Sequence, residues 1–162
     1  MQYLQNVGTV QARGADLKIQ AYLSPKWQIT GMVAYNDSVF ARSTQTTHVT
    51  GDKVPLVPAF LAHEDISYTT YLSGGGYFKA RTGFDWIGKT FFDQSNTVSQ
   101  NGYGLLNAEM IWAKDDHFKV ILYGENLTNK NYAVYGFPFG SFGNVYQLAL
   151  GRTIGLRMQV SL

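Results

Sequence analysis

Polar and apolar residues alternate along most of this 162-residue chain, with the period of two that is typical of β-strands. In the segment YFKARTGFDW, apolar and polar residues separate onto two faces, with Phe78, Ala80, Thr82, Phe84 and Trp86 opposite Lys79, Arg81 and Asp85. Similar alternation predicts seven antiparallel strands, at about residues 9–23, 27–42, 60–73, 77–91, 102–113, 118–126 and 153–162.

Short turns and long loops alternate between these predicted strands. The turns lie at Ser24-Pro25-Lys26, Gly74-Gly75-Gly76 and near residue 115, and the loops cover about 43–59, 92–101 and 128–151. This asymmetry, with strands long enough to cross a bilayer, favours an all-β transmembrane barrel wall. Aromatic residues at the ends of the apolar faces resemble membrane-interface girdles, namely Trp27, Tyr35, Trp86, Trp112 and Phe118. Glu64 shares the apolar face of the third strand, towards its loop end.

The composition agrees better with a membrane wall than with a soluble domain. Charged residues make up 15% of the chain, against about 25% in soluble domains, and aromatic residues another 15%. The net charge of +2 comes without a basic run, which gives little support for nucleic-acid binding. The absence of cysteine excludes disulfides and thiolate metal sites. The sequence contains neither an apolar run long enough for a transmembrane helix nor a recognisable signal peptide.

Four segments resemble the C-terminal part of the barrel of TonB-dependent outer-membrane receptors. They are ARGADLKIQAYLSPKWQITGMVAYND, GDKVPLVPAF, YGENLTNKNY and GRTIGLRMQVSL. Each segment is short and tolerant of substitution, so the resemblance depends on their order and spacing, and it covers nearly all of the chain. It implies that residues 1–162 are the C-terminal part of such a barrel domain in a bacterial outer membrane, with the plug domain absent.

The resemblance implies a fragment of a receptor for energised uptake of a scarce ligand such as a ferric siderophore, haem, cobalamin or a glycan. The implied partners are outer-membrane lipid, the outer-membrane assembly machinery, the missing plug and barrel strands, and TonB through that plug. No enzymatic activity, cofactor or metal is implied. Seven strands are too few to close the family's barrel of about 22 strands, so we expect the isolated chain to form no closed barrel. A small standalone outer-membrane barrel and a soluble β-barrel binding module remain alternatives.

Two groups of residues are candidates for contact with a ligand or with the inside of the barrel. The loop AVYGFPFGSFG places aromatic side chains on the proposed outer surface, where they could bind a siderophore or sugar ring or pack on one another: Tyr135, Phe137, Phe139 and Phe142. Charged residues on the polar faces are predicted to face the lumen: Lys79, Arg81, Asp85, Glu109, Lys119, Glu125 and Arg157. They could line a solute path, but their mixed signs favour pairing across strands and contact with a plug.

The last strand resembles the signal that the assembly machinery reads, a signal that usually ends in an aromatic residue. Its apolar positions are Ile154, Leu156, Met158, Val160 and Leu162. The three histidines, His48, His63 and His117, are too dispersed in sequence to predict a shared metal site. No G-x-S-x-G motif supports a hydrolytic triad, and no helix pattern or Lys-Ser/Thr pair follows Gly76 to support a phosphate loop.

Overall fold

The computed structural model describes residues 8–43, 49–115 and 117–161. Its strands are β1 (Gly8–Tyr22), β2 (Trp27–Ser43), β3 (Phe60–Tyr71), β4 (Tyr77–Ile87), β5 (Thr90–Phe91), β6 (Ser99–Gln100), β7 (Tyr103–Ala113), β8 (Phe118–Glu125), β9 (Ala133–Pro138), β10 (Asn144–Leu148) and β11 (Thr153–Val160). Seven of them form one antiparallel sheet in the order β1-β2-β3-β4-β7-β8-β11. The prediction of seven long antiparallel strands is therefore confirmed.

The predicted fourth strand is too long at its loop end. It ends at Ile87, where its pairing with β7 stops at Tyr103, although the amide of Gly88 still donates a 2.8 Å hydrogen bond to the carbonyl of Phe60 at the start of β3. A short hairpin, β5–β6, pairs the end of the predicted fourth strand with the second predicted loop, and another hairpin, β9–β10, lies within the third predicted loop. The turn of the second hairpin is closed by a 2.7 Å bond from Phe139 N to Gly143 O. Single-strand alternation did not indicate these hairpins, because one is very short and the other is rich in aromatic residues on both faces.

The short turns of the main sheet form where they were predicted. Leu72 N donates to Gly76 O over 3.1 Å, and Gly75 and Gly76 have φ of 86° and 81°, values that favour glycine. At the turn before β8, the Asp115 carboxylate accepts hydrogen bonds from the amides of His117 and Phe118, each 2.9 Å long. Asp116, which the sequence also assigns to this turn, lies outside the described residues.

The register separates the main sheet into an apolar face and a polar face. In one row across β4, β7 and β8, Ala80, Met110 and Leu122 are partners, and in the next row Arg81, Glu109 and Tyr123 are partners. Partners in a ladder point to the same side, so the apolar face and the polar face each continue from strand to strand. Large side chains on the apolar face are exposed, for example Leu17 at 57% and Ile154 at 67%. An exposed face of this size and composition suits contact with lipid.

Two rows of aromatic side chains border the apolar face. Towards the short turns, Trp27 pairs with Tyr68 at a ring separation of 4.9 Å, and Trp112 lies 6.0 Å from Phe118. Towards the long loops, Tyr35 is the register partner of Phe60, and Trp86 lies near the same end of β4. Glu64, predicted near the loop end, lies instead midway between the rows, four residues from Tyr68 and four from Phe60.

Buried apolar residues concentrate beyond the ends of the strands, among the long loops. Among the described residues, Val49 and Val98 are the largest side chains that are fully buried, and Phe92, Val98 and Ala133 form a small core. A single-layer wall buries little between its two faces, so its tightest packing lies where loops fold over one another. No helix in the described ranges is long and apolar enough to span a membrane.

Candidate functional site

The hairpin β9–β10 carries the four aromatic residues predicted to contact a ligand. Their rings follow one another, with centroids 6.3 Å apart for Tyr135–Phe137, 6.2 Å for Phe137–Phe139 and 5.8 Å for Phe139–Phe142. All four side chains are exposed, most of all Phe142 at 84%. We call these four residues the aromatic ladder. The rings therefore pack on one another, as one of the two alternatives predicted, and their exposed faces form an open apolar surface.

The aromatic ladder rests on residues of the neighbouring loop. Phe92, which is 7% exposed, lies 6.2 Å from the ring of Tyr135 and 6.4 Å from that of Tyr146. Gly136 allows this contact, because a Cβ at its position would lie 2.9 Å from Cδ2 of Phe92 and 3.0 Å from Cγ1 of Val98. The hairpin is therefore seated on a packed base rather than projecting freely from the sheet.

Hydrogen bonds join all three long loops at this end. Lys53 N donates to Asn96 Oδ1 over 2.7 Å, and Asn96 Nδ2 returns a bond of 2.9 Å to Lys53 O. The carboxamide oxygen of Gln100 accepts from Ala133 N over 2.8 Å, which ties the second loop to the third. Each bond uses a backbone group that would otherwise need a partner. The three loops consequently form one connected surface.

Two charged residues fix the conformation of these loops. Partial burial raises the pKa of Asp93. Its carboxylate also accepts hydrogen bonds from Val98 N at 2.7 Å, Thr97 Oγ1 at 2.7 Å and Thr97 N at 3.1 Å. These hydrogen bonds outweigh the effect of burial, so the pKa of Asp93 lies below its ordinary value of 3.8. The Lys53 ammonium pairs with the Asp37 carboxylate, and this hydrogen bond raises the pKa of Lys53 above its ordinary 10.5. Both groups are charged at neutral pH and stabilise the loop fold in that state.

The polar face carries a network of paired side chains near an open cavity of about 700 Å³. The guanidinium of Arg81 pairs with Asp65, a residue that is 8% exposed. His63 Nδ1 lies 2.7 Å from Asp85 Oδ1, and Asn107 Nδ2 donates a 3.0 Å hydrogen bond to Asp85 Oδ2. Side chains from β3, β4 and β7 are thus held in fixed positions across the sheet.

A second set of hydrogen bonds extends this network into the segment after β8. Asn126 N donates a 2.9 Å hydrogen bond to Asn107 Oδ1. The Asn126 side chain accepts a 2.8 Å hydrogen bond from Lys130 N through Oδ1 and donates one of 2.9 Å to Lys130 O through Nδ2. Asn129 Oδ1 accepts from Arg152 N over 2.9 Å, which fixes the start of β11. Asn126 and Asn129 have φ of 50° and 52°, a conformation that asparagine tolerates. These hydrogen bonds hold the segment YGENLTNKNY in a compact conformation and connect it to β7 and to the start of β11.

The seven charged residues predicted to face the lumen all lie on the polar face by register. One of them, Arg81, forms an ion pair with Asp65. Asp85 is within hydrogen-bond distance of His63 and Asn107, and Arg157 lies 5.3 Å from the ring of Tyr123. The predicted pairing across strands thus occurs, although the partners come from β3 and were not singled out from the sequence. Within the described residues, Lys79, Glu109, Lys119 and Glu125 make no ion pair.

The histidines considered for a metal site have separate neighbours where the structure describes them. His63 pairs with Asp85, His117 lies 3.9 Å from Asp115, and His48 is outside the described residues. No group of three potential metal-ligating side chains occurs in the described ranges.

In β11, Ile154, Leu156, Met158 and Val160 share the apolar face and are exposed, and Leu162 lies outside the described residues.

Sequence reasoning missed the residues that support the aromatic ladder, namely Phe92, Asn96, Val98 and Gln100. One signal was available, since Asp93 and Asn96 occupy the first and fourth positions of a turn closed by a 3.2 Å bond from Asn96 N to Asp93 O. The pairing of Asn96 with Lys53 and of Gln100 with Ala133 spans 43 and 33 residues and leaves no local pattern.

Long antiparallel strands, an apolar face between aromatic rows, a charged opposite face and structured loops at one end define the wall of a membrane β-barrel. The model of the family "TonB dependent receptor-like, beta-barrel" matches residues 2–127. The chain belongs to this family, which comprises outer-membrane receptors of Gram-negative bacteria rather than enzymes.

Relatives and solved structures agree with this assignment. The chain is 28% identical to the pesticin receptors of Yersinia pestis and Yersinia enterocolitica, over 99% of its own length and 23% of theirs. The crystal structure of the ferric yersiniabactin uptake receptor FyuA from Yersinia pestis is similar at a TM-score of 0.84 and 26% identity, covering 96% of this chain and 24% of that one. The siderophore receptor PiuA from Acinetobacter baumannii shares the fold, at a TM-score of 0.74, 21% identity and coverage of 96% and 22%. The chain thus spans about a quarter of the length of these proteins.

Proposed function

We propose that the chain forms part of the wall of an outer-membrane receptor for a ferric siderophore, and that the aromatic ladder contacts this ligand. The observation that carries the proposal is the ladder itself, an exposed row of rings held on a packed base at the long-loop end. Aromatic faces bind planar or apolar ligand groups at little entropic cost, because the rings are already ordered. Among the ligand classes implied by the sequence, the names of the relatives favour a siderophore over haem, cobalamin or a glycan.

The polar face suits contact with the interior of a complete barrel. We assign Lys79, Arg81, Asp85, Glu109, Lys119, Glu125 and Arg157 to the lumen side, where they contact water and a plug domain. Residues 1–162 would then be the C-terminal part of the barrel domain, and TonB would act on it only through the plug. A set of side chains of both signs, some of them paired with neighbouring strands, is suited to contact with water and a plug, and we assign no catalytic role to it.

The apolar face and the last strand suit insertion into a bilayer. Outer-membrane lipid would contact the face between the aromatic rows. The outer-membrane assembly machinery would read the alternating apolar residues of the last strand, which are Ile154, Leu156, Met158, Val160 and Leu162.

The ladder is tested by binding of iron-loaded siderophores to the purified receptor that contains this chain. Phe137→Ala and Phe139→Ala each remove one ring from the middle of the ladder, and we expect each to weaken binding about tenfold, which corresponds to about 1.4 kcal/mol. Leu148→Ala is a matched control, because Leu148 is exposed on the same hairpin and belongs to no ring contact. Equal affinities for the ring variants and the control would contradict a role of the ladder in binding.

A further inference from the structure

The apolar face carries one charged side chain between the two aromatic rows within the described part of the chain, and this side chain is Glu64. Its register partners are Gly31 on β2 and Phe84 on β4, both on the apolar face. Each aromatic row lies four residues away along β3, which is about 13 Å of strand. Glu64 is exposed and, among the described residues, makes no side-chain hydrogen bond or ion pair.

Glu64 borders an open groove of about 430 Å³ on this face. Small residues and larger apolar residues both line it, namely Ala21, Gly31 and Ala62 together with Leu17, Ile19, Ile29, Val33 and Phe84. A Cβ added at Gly31 would meet no atom within 4 Å, so the surface beside the carboxylate is open. Small residues of this kind allow another backbone to approach closely within a membrane.

The position of the carboxylate restricts what can cover it. Acyl chains have no hydrogen-bond donor, and lipid headgroups lie beyond the aromatic rows, so lipid alone would leave Glu64 without a partner. A second copy docked by the same groove around a two-fold axis would bring Glu64 close to Glu64, and like charges oppose that arrangement. A positively charged side chain at the same depth would complement the carboxylate, and only a protein segment within the membrane can provide it.

We propose that the groove at Glu64 is a docking site for a membrane-embedded segment of another protein, which places a lysine or arginine against the carboxylate. Charge complementarity selects the side chain, and the open surface at Gly31 accommodates the backbone that carries it. The site lies on the lipid side of the wall, on the face opposite the charged network of the lumen side. It is therefore independent of siderophore binding and goes beyond the function proposed above.

Site-specific photo-crosslinking in intact outer membranes tests this docking site. A photoreactive amino acid replaces Ala62, beside Glu64, in the receptor that contains this chain, and the same amino acid at Leu122 is the control, because Leu122 is exposed on the apolar face away from the groove. Crosslinked peptides are identified by mass spectrometry. Heat-modifiable migration of each variant is recorded in the same samples, so that failure to form a membrane barrel is distinguished from failure to dock a partner.

We expect a discrete protein adduct from position 62 and none from position 122, with the crosslink in a membrane-embedded segment that contains lysine or arginine. Glu64→Gln should reduce the adduct at least fivefold, and Glu64→Lys should abolish it. Exchange of the partner's basic residue for glutamate should restore the adduct with Glu64→Lys. The proposal is wrong if correctly assembled receptor yields only lipid adducts, yields an adduct to a second copy of itself, or keeps the adduct in the Glu64→Lys variant.

Discussion

Gly136 lies against the ring of Phe92, so closely that a methyl group at Gly136 would be 2.9 Å from Cδ2 of that ring. This contact seats the hairpin β9–β10 on the loop between β5 and β6, and through it positions the aromatic ladder. The hairpin and its base come from segments that are distant in sequence, so the ladder depends on tertiary packing.

We expect Gly136→Ala to displace the hairpin from its base without preventing assembly of the barrel. Overpacking of this kind costs about 1–3 kcal/mol, and here the cost falls on the loops rather than on the main sheet. Limited proteolysis should cut within Ala133–Leu148 faster than in the parent, while heat-modifiable migration stays unchanged. Gly74→Ala is the control, since a Cβ at Gly74 meets nothing within 4 Å. Equal cleavage rates for the two variants would show that the contact does not hold the hairpin.

The loop that forms this base should loosen in acid. The folded-state pKa of Asp93 is lower than its ordinary value of 3.8, so its ionised form is the one that the fold stabilises. This stabilisation is fully present above about pH 4 and is lost as the pH falls through the folded-state pKa. Hydrogen exchange of the Thr97 and Val98 amides, corrected for intrinsic rates, should therefore accelerate below about pH 4.

Asp93→Asn should remove this acid dependence, because the side chain no longer titrates, and exchange should already be faster at neutral pH. Asp52→Asn, which leaves the turn at Asp93 intact, should retain the parent's acid dependence. Acid acceleration of similar size in the Asp93→Asn variant would refute the assignment of this transition to Asp93.

The ion pair between Arg81 and Asp65 should contribute measurably to the stability of the wall. Arg81→Met leaves the Asp65 side chain, 11% exposed, without its charged partner. We expect the free energy of unfolding of the assembled receptor to fall by about 1–3 kcal/mol. The midpoint of thermal unfolding in detergent measures this effect.

Lys79→Met is the matched control for this pair, since Lys79 is on the same face of β4 and makes no ion pair within the described residues. The double variant Arg81→Met with Asp65→Asn should recover part of the loss, because the unpaired charge is then removed. A loss as large for Lys79→Met as for Arg81→Met would mean that the pair has no specific role.

The seven long strands could be predicted from the sequence because their signal is local. Side chains of opposite polarity alternate in β4 and β11, and Gly75 and Gly76 mark a tight turn, so pattern alone places the sheet. The same alternation assigns the charged residues to one face. It does not identify Asp65 and His63 as the partners of Arg81 and Asp85, because register between strands is set by the whole ladder.

The candidate ligand surface was predicted only in part. The aromatic composition of the loop indicated Tyr135, Phe137, Phe139 and Phe142, but the base beneath them was missed, because Phe92 reaches Tyr135 across 43 residues of sequence. The depth of Glu64 was also missed. Its position in β3 is visible in the sequence, but its distance from both aromatic rows depends on pairing with β2.

Replacement of Leu162 by phenylalanine should improve assembly of the receptor that contains this chain. This prediction rests on the proposed role of the last strand in assembly: the family resemblance implies an aromatic residue at the end of such a signal, where this sequence has Leu162. We expect Leu162→Phe to raise the amount of heat-modifiable receptor in outer membranes, with Leu162→Ala lower than the parent. An unchanged yield for Leu162→Phe would count against the last strand as an assembly signal.

Energised uptake of iron tests the central claim most directly. Cells whose sole siderophore receptor contains this chain are given radioactive iron loaded onto siderophores of different classes, and the iron they accumulate is measured with and without a protonophore. We predict saturable uptake of one siderophore class, abolished by the protonophore and reduced about tenfold by Phe137→Ala combined with Phe139→Ala. If correctly assembled receptor accumulated no ferric siderophore above the level of receptor-free cells, the proposed function would be contradicted.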